Sequence, residues 1–117
     1  MALKEPPPYV AGHNLLAGKS VLITAAAGAG IGFAAATRAA EEGVRAVMIS
    51  DIHEGRLGKA VEQLKAETGL DAVYGKLANV TDENDVQALV DYAEETMDGV
   101  DVLINNAGLG GTRLLVD

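Results

Sequence analysis

A turn rich in glycine and alanine, residues 28–32 (Gly28-Ala29-Gly30-Ile31-Gly32), separates a short apolar run from an alanine-rich segment. The pattern predicts a strand before the turn and a helix after it. Backbone N–H groups in such a turn can approach a phosphate closely because glycine has no Cβ, and the positive end of the helix dipole attracts the anion. The sequence therefore predicts that the turn binds the pyrophosphate of a nucleotide. The alternative is a glycine-rich turn without a ligand.

An acidic residue, Asp51, lies at the predicted carboxyl end of the next strand, 19 residues after Gly32. A carboxylate at this place can accept the ribose hydroxyls of an adenosine. It would also repel a 2′-phosphate at short range, so we expect NAD to bind in preference to NADP. Arg45 and Arg56 are close in sequence and could neutralise such a phosphate. The alternative role for Asp51 is a cap on the following helix.

The elements that position these residues alternate between strands and helices. Apolar runs predict strands at 20–24, 46–50, 72–77 and 100–105, and helical spacing predicts helices at 31–42, 54–67 and after the N-cap Thr81. Right-handed crossovers then require a parallel sheet with helices on both faces. The sequence thus predicts an α/β fold, a Rossmann-type doubly wound sheet with strand order 3-2-1-4. Residues 1–18, with three consecutive prolines, read as an extended arm, and residues 19–117 as the nucleotide-binding portion.

The composition of the 117-residue chain narrows the classes of partner. Net charge is −8 and no basic patch is visible, which argues against nucleic acid and anionic membranes as partners. No cysteine is present, and 3% of the residues are aromatic, so the core is built from aliphatic side chains. The start of the chain lacks the apolar run of a signal peptide, and no segment reaches the roughly 20 apolar residues of a membrane span. We expect one cytoplasmic domain without a metal site.

The fourth predicted strand continues into Asn105-Asn106-Ala107-Gly108. Together with residues 24–32 and Asp51, this run resembles the short-chain dehydrogenases/reductases over residues 14–112. The resemblance implies NAD(P)-dependent hydride transfer between an alcohol and a ketone. It implies that the turn binds pyrophosphate, that Asp51 binds ribose, and that the backbone of Asn106, Ala107 and Gly108 lies along the cofactor. A purely structural role is the alternative for the two asparagines, whose amides can satisfy backbone groups at a strand end.

The chain departs from the family pattern at two places near this site. Ala25 stands where the family turn has its first glycine, and one extra residue lies between Thr24 and Gly32, so we expect the loop to bulge. Asn79-Val80 replaces the pair of aspartate and valine whose carboxylate binds the adenine amine in the family. The amide carbonyl of Asn79 can accept the same hydrogen bond without a charge.

Residues 13–19, the turn and the run after the fourth strand are similar to reductases of bacterial sterol-ring breakdown. Those enzymes act on bicyclic keto acids carried as coenzyme A thioesters; a 3-oxoacyl reductase is the other candidate. The resemblance implies a catalytic serine, tyrosine and lysine, but neither Tyr74 nor Tyr92 is followed by lysine four residues later. We therefore expect the catalytic residues beyond Asp117, an inactive chain on its own, and assembly as a homo-oligomer. The alternatives are a non-catalytic nucleotide-binding module and an inert fragment.

Overall fold

A computed structural model describes residues 5–28 and 30–108, in which four strands alternate with three helices. The elements are β1 (Ser20–Ile23), α1 (Ile31–Glu41), β2 (Ala46–Asp51), α2 (Glu54–Thr68), β3 (Val73–Leu77), α3 (Glu83–Met97) and β4 (Val102–Ile104). All strand pairs are parallel and the order is β3-β2-β1-β4, which confirms the predicted fold and order. None of the helices in this part of the chain is long and apolar enough to cross a membrane.

The sheet is buried between helices on both of its faces. Successive strand side chains point to opposite faces, so each strand contributes to two separate apolar layers. The layer under α1 and α2 contains Val21, Ile23, Val47, Ile49 and Val73. The layer under α3 contains Leu22 and Met48, packed against Leu89, Ala93 and Met97. Burial on both faces explains why β1 and β2 are continuous apolar runs rather than alternating ones.

The N-terminus of α3 differs from the prediction by one residue. Asp82, not Thr81, is the N-cap, and its carboxylate accepts hydrogen bonds from the amides of Asn84 (2.9 Å) and Asp85 (3.3 Å). A charged acceptor interacts more strongly with the positive end of the helix dipole than a hydroxyl does. The Thr81 hydroxyl instead donates to the side chain of Asn79.

Side chains at the C-terminal end of α1, with Glu42 making the most contacts, hold the described part of the arm. Glu42 is only 5% exposed; its Oε1 accepts from the amides of His13 (2.6 Å) and Leu15 (3.2 Å), and its Oε2 accepts from Arg38 (2.9 Å). Arg38 also donates to the carbonyl of Val10 at 2.6 Å. Residues 5–14 form neither helix nor strand, and residues 1–4 lie outside the described residues. The division at residue 18 stays a prediction.

These hydrogen bonds lower the pKa of Glu42. The His13 amide has the largest effect, burial of the carboxylate opposes it, and Leu15 and Arg38 add to the lowering. The pKa in the folded protein is therefore below the ordinary value of 4.5 that holds in the unfolded chain. Stability from this carboxylate is present above the unfolded-state pKa and is lost as the pH falls through the folded-state pKa.

We expect Glu42→Gln to lower the midpoint of thermal unfolding at neutral pH, because the amide carries no charge to pair with Arg38 and has one acceptor oxygen instead of two. The difference from the wild type should shrink as the pH falls below 4.5. Circular dichroism melting curves at neutral and acidic pH measure both effects. Glu95→Gln, at an exposed position of α3, is the matched control and should change the midpoint little. A difference that grows towards acid would contradict the assignment.

Candidate functional site

The side chain of Thr24, in the segment between β1 and the glycine turn, ties the end of β1 to the chain that follows β4. The Thr24 amide donates to the carbonyl of Ile104 at 3.1 Å, which extends the pairing of β1 with β4. The Thr24 hydroxyl oxygen accepts from the amides of Asn106 (3.0 Å) and Ala107 (3.2 Å). One buried hydroxyl thus fixes the chain that leaves β4 against the chain that leaves β1.

The next two residues connect the turn to both neighbouring strands. The side-chain amide of Asn106 donates to the carbonyl of Ala25 at 3.1 Å. The amide of Ala26 donates to the carbonyl of Ser50 in β2 at 3.0 Å. Ala25 has a φ of 52°, in the left-handed region that favours glycine. Ala25 stands where the family pattern has a glycine, and it adopts a backbone conformation that favours glycine.

Each described glycine of the turn has a different environment. Gly28 has a φ of 111°, which side-chain-bearing residues rarely adopt. A Cβ on Gly32 would lie 2.5 Å from Nδ2 of Asn106 and 3.0 Å from Cα of Ala26, so α1 can pack this closely only on glycine. A Cβ on Gly30 would meet no atom within 4 Å. Ala29 lies outside the described residues, so the bulge expected in this loop stays a prediction at that residue.

The start of α1 offers backbone N–H groups without a competing side chain. Its N-cap is Gly30, with no side-chain cap and no acidic residue in the first turn, and Ile31 is exposed. The other two helices differ, since α2 is capped by His53 and α3 by Asp82, and both have acidic residues in their first turns. The free N–H groups and the helix dipole make the start of α1 suitable for an anion.

Asp51 presents a buried carboxylate at the end of β2. Its Oδ1 accepts from the His53 amide at 3.0 Å and from Nη2 of Arg56 at 2.9 Å. Burial raises the pKa of Asp51, but these hydrogen bonds outweigh burial and hold the pKa below its ordinary value. His53, not Asp51, is the N-cap of α2, and its Nδ1 accepts from the Arg56 amide at 3.0 Å. The carboxylate is therefore ionised, and the helix-capping alternative is not the observed arrangement.

A cavity of about 470 Å³ opens beside Asp51. It is lined by residues at or after the carboxyl ends of all four strands: Ala25, Asp51, Ile52, Arg56, Ala78, Asn79, Val80, Thr81, Ala107 and Gly108. The cavity is mostly apolar with a few polar groups, which is typical of small-molecule sites. Five of the predicted site residues thus line one cavity, while Gly30, Ile31 and Gly32 lie at the start of α1 and Asn106 contacts the turn.

Two features of this site were not predicted from the sequence. Asn79 uses its Oδ1 to accept from the amide (3.0 Å) and the hydroxyl (2.6 Å) of Thr81, so an adenine amine would compete with Thr81 for that oxygen. Arg56 pairs directly with Asp51, although only its proximity in sequence was apparent. The basic residue five positions after the acid, in the first turn of a helix, is the signal that could have indicated the pair.

Comparison with known proteins assigns residues 19–116 to the family described as short chain dehydrogenase. The chain is 49% identical over 117 residues to a Mycobacterium tuberculosis protein named (5R,7aS)-5-hydroxy-7a-methyl-1-oxo-2,3,5,6,7,7a-hexahydro-1H-indene-carboxyl-CoA reductase; the match covers all of this chain and 44% of the relative. It is 43% identical over 94 residues to 5-keto-D-gluconate 5-reductase of Escherichia coli, covering 80% of this chain and 35% of that protein.

Solved structures give the same result. A short chain dehydrogenase from Mycobacterium smegmatis superposes with a TM-score of 0.87 at 50% identity, covering 97% of this chain and 46% of the other. L-Sorbose reductase from Gluconobacter frateurii, complexed with NADPH and L-sorbose, superposes with a TM-score of 0.76 at 30% identity, covering 87% of this chain and 38% of the other. This chain therefore spans less than half the length of these relatives.

The close contact at Gly32 predicts that Gly32→Ala destabilises the fold by about 1–3 kcal/mol, since the added methyl group must displace Asn106 or Ala26. Gly58→Ala in α2 is the matched control, because its Cβ would meet no atom within 4 Å. The control should instead stabilise the protein by about 0.5–1 kcal/mol through helix propensity. Urea denaturation of both variants measures the free energies of unfolding; a neutral Gly32→Ala would contradict the packing described.

The left-handed backbone at Ala25 predicts the opposite outcome for Ala25→Gly. Glycine adopts a φ of 52° without a Cβ clash, so the substitution should raise the free energy of unfolding by about 1 kcal/mol or slightly less. Urea denaturation provides this measurement as well. Ala35→Gly, inside α1, carries the same chemical change in a helical backbone and should lower stability by about 1 kcal/mol. Equal losses in both variants would be inconsistent with strain at Ala25.

Proposed function

This chain belongs to the short-chain dehydrogenase family, and we propose that it forms the dinucleotide-binding portion of an NAD(P)-dependent oxidoreductase. The observation that carries the proposal is the juxtaposition, at one sheet edge, of a helix start without a cap or acid and an ionised carboxylate one strand away. The start of α1 can bind an anionic pyrophosphate, and the carboxylate of Asp51 can accept a hydrogen bond from a sugar hydroxyl. When bound, the nicotinamide would carry hydride to or from a carbonyl carbon, so the reaction interconverts an alcohol and a ketone.

The residues present fit such a cofactor. The open space at Gly30 leaves the backbone N–H groups of the α1 start accessible to phosphate oxygens, with Gly28, Ala29, Ile31 and Gly32 completing the turn. Asp51 would accept ribose hydroxyls through Oδ2, because Oδ1 already carries two hydrogen bonds. Asn79 and Val80 would border the adenine, and the backbone of Asn106, Ala107 and Gly108 would follow the cofactor. The charge of Asp51 supports NAD(H) as the preferred cofactor over NADP(H).

For the substrate we propose a ketone or secondary alcohol carried as a coenzyme A thioester. The support is the similarity to a relative named as a carboxyl-CoA reductase, at 49% identity over the whole of this chain. We propose that the residues that transfer the proton are not among residues 5–28 and 30–108. Tyr74 lies in β3, and the ring of Tyr92 on α3 has the ammonium group of Lys76 at 5.3 Å.

We further propose that the protein acts in the cytoplasm as a homo-oligomer. The absence of cysteine is consistent with a reducing compartment. Within the described residues β4 pairs with β1 alone, and Leu103 on β4 is 51% exposed. An apolar strand edge of this kind favours association with further protein surface.

The cofactor proposal is tested by calorimetric titration of the 117-residue chain with NADH and NADPH. Gly30→Val should weaken binding on the order of a hundredfold, because its side chain would separate the phosphates from the backbone N–H groups. The variant should still fold, since the position faces open space and valine there costs only the weaker helix cap. Gly58→Ala, which also faces open space but on α2, is the control and should bind as the wild type does. Unchanged binding by Gly30→Val would show that the turn does not hold the phosphates.

A turnover measurement separates the enzyme from a binding module. The chain with NADH and a keto acyl-CoA thioester should show no loss of nicotinamide absorbance, because its described residues contain no tyrosine with a lysine four positions later. Turnover by this chain alone would place the catalytic residues within it and overturn their assignment elsewhere.

A further inference from the structure

The outer edge of β3 directs backbone groups away from the sheet. Within the described residues β3 is the last strand and pairs with β2 alone. The Ala72 carbonyl accepts from an amide of β2 at 3.0 Å, and the Ala78 amide donates to a carbonyl of β2 at 3.1 Å. The even-numbered residues from 72 to 78 therefore face β2, and in a parallel ladder the residues between them face the other way. Gly75 and Leu77 thus point their N–H and C=O groups out of the sheet.

A groove of about 420 Å³ follows this edge between α2 and β3. Leu57, Gly58 and Val61 form its wall on α2, and Gly75 and Leu77 form its wall on β3. The helix lies directly on the strand, because a Cβ on Gly75 would be 2.8 Å from Cγ2 of Val61. Leu77 is 43% exposed. The α2–β3 groove therefore combines apolar side chains with the outward backbone groups of the edge strand.

Gly58 keeps the middle of the α2–β3 groove open. It lies inside α2, where glycine lowers helix stability relative to alanine. A Cβ at this position would meet no atom within 4 Å, so the packing of the described residues does not require glycine. The space beside Gly58 can instead take a side chain that enters the groove from another chain.

Two carboxylates flank Gly58 on the same side of α2. Glu54 and Glu62 are exposed and lie four residues before and after Gly58, so about 12 Å separates them along the helix. Among the described residues that line the groove, Lys76 is the basic one. Its ammonium group lies 5.3 Å from the ring centre of Tyr92 on α3, which packs on the opposite face of the sheet. The groove therefore has an apolar middle between two acidic ends.

We propose that the α2–β3 groove binds an extended segment of another protein, which pairs with β3 as an additional strand. The segment carries basic residues at positions i and i+4 and an apolar residue at i+2. Positions i and i+4 of a strand point to the same side and lie about 13 Å apart, which matches the separation of Glu54 and Glu62. Position i+2 then faces Gly58. The outward backbone groups of Gly75 and Leu77 supply the hydrogen bonds, as in other cases of strand addition to a sheet edge.

The sequence favours a different protein over a second copy of this chain as the partner. No two of its nine lysine and arginine residues lie four positions apart. Its net charge of −8 also favours association with a basic partner. The groove shares no lining residue with the cavity beside Asp51, so the proposal does not depend on the cofactor.

The test is an NMR titration of the nitrogen-15-labelled 117-residue chain with a peptide blocked at both ends, Thr-Lys-Thr-Val-Thr-Lys-Thr. The amide signals of Gly75 and Leu77 should shift. Hydrogen exchange at these two amides should slow by about tenfold or more at saturation, because strand addition protects them from water. The same peptide with glutamate in place of both lysines is the control for charge. It should bind at least about tenfold more weakly.

Two further peptides test the strand pairing itself. One carries methyl groups on the backbone nitrogens of its odd-numbered residues, and the other carries them on its even-numbered residues. Only one of these sets faces β3 in an added strand, whichever way the peptide runs. One methylated peptide should therefore lose binding, and the other should bind like the unmodified peptide.

Variants of the protein test the two features of the groove separately. Glu62→Gln should weaken binding of the lysine peptide by about two- to fivefold, as expected for an exposed ion pair. Gly58→Leu should weaken it by about tenfold or more, because leucine fills the groove. Its melting midpoint should not fall, since leucine is the better helix former. Glu67→Gln is the matched control, because it removes an exposed charge of α2 that does not line the groove. It should bind as the wild type does.

Three results would overturn the proposal. Equal binding of the lysine and glutamate peptides would mean that Glu54 and Glu62 do not select the partner. Equal binding of the two methylated peptides would exclude strand addition to β3. No change at Gly75 and Leu77 at millimolar peptide would show that the groove is not a docking site. The titration with NADH tests the proposed function separately, so failure of one proposal leaves the other standing.

Discussion

The hydroxyl group of Thr24 is the contact on which the site depends. It accepts two amide hydrogen bonds from the chain that follows β4, while the next carbonyl accepts one from the side chain of Asn106. The Ala26 amide adds a hydrogen bond to Ser50 on the opposite side. Residues 24–26, which lead into the glycine turn, are therefore held between two strand ends.

The strands, the helices and their order were predictable from the sequence. A sheet that is buried on both faces requires strands that are continuous apolar runs. Residues 21–23 and 46–49 are continuous apolar runs that are followed by polar residues, and Gly69 ends α2 in the left-handed conformation expected of a glycine after a helix. The handedness of crossovers then leaves few possible sheet orders. Thr81 shows the limit of such arguments. The sequence predicted Thr81 as the cap of α3, whereas the N-cap is Asp82, whose charge interacts more strongly with the helix dipole; the Thr81 hydroxyl donates to Asn79 instead.

The details of the site were less predictable because they depend on contacts between side chains of different elements. The sequence indicated that Asp51 lies at the strand end, but the choice of Arg56 as its partner depends on the angle at which α2 begins. At that point the ring nitrogen of His53 caps α2 by accepting from the Arg56 amide. The conformation of Ala25 is another example. Its φ of 52° contradicts the preference of alanine and is maintained by hydrogen bonds from Asn106 and to Ser50 on either side.

The charges around the site depend on how each helix begins. A side chain caps α2 and α3, whereas no side chain caps α1. Acidic residues occupy the first turns of α2 and α3, where their negative charges interact favourably with the positive end of each helix dipole. The first turn of α1 has none, so its dipole and N–H groups remain available at the edge where Asp51 lies. Arg56 pairs with Asp51 and offsets the charge of that carboxylate at this edge. An acidic chain can thus attract a polyanionic ligand, because the charges near the site, rather than the net charge, determine the local potential.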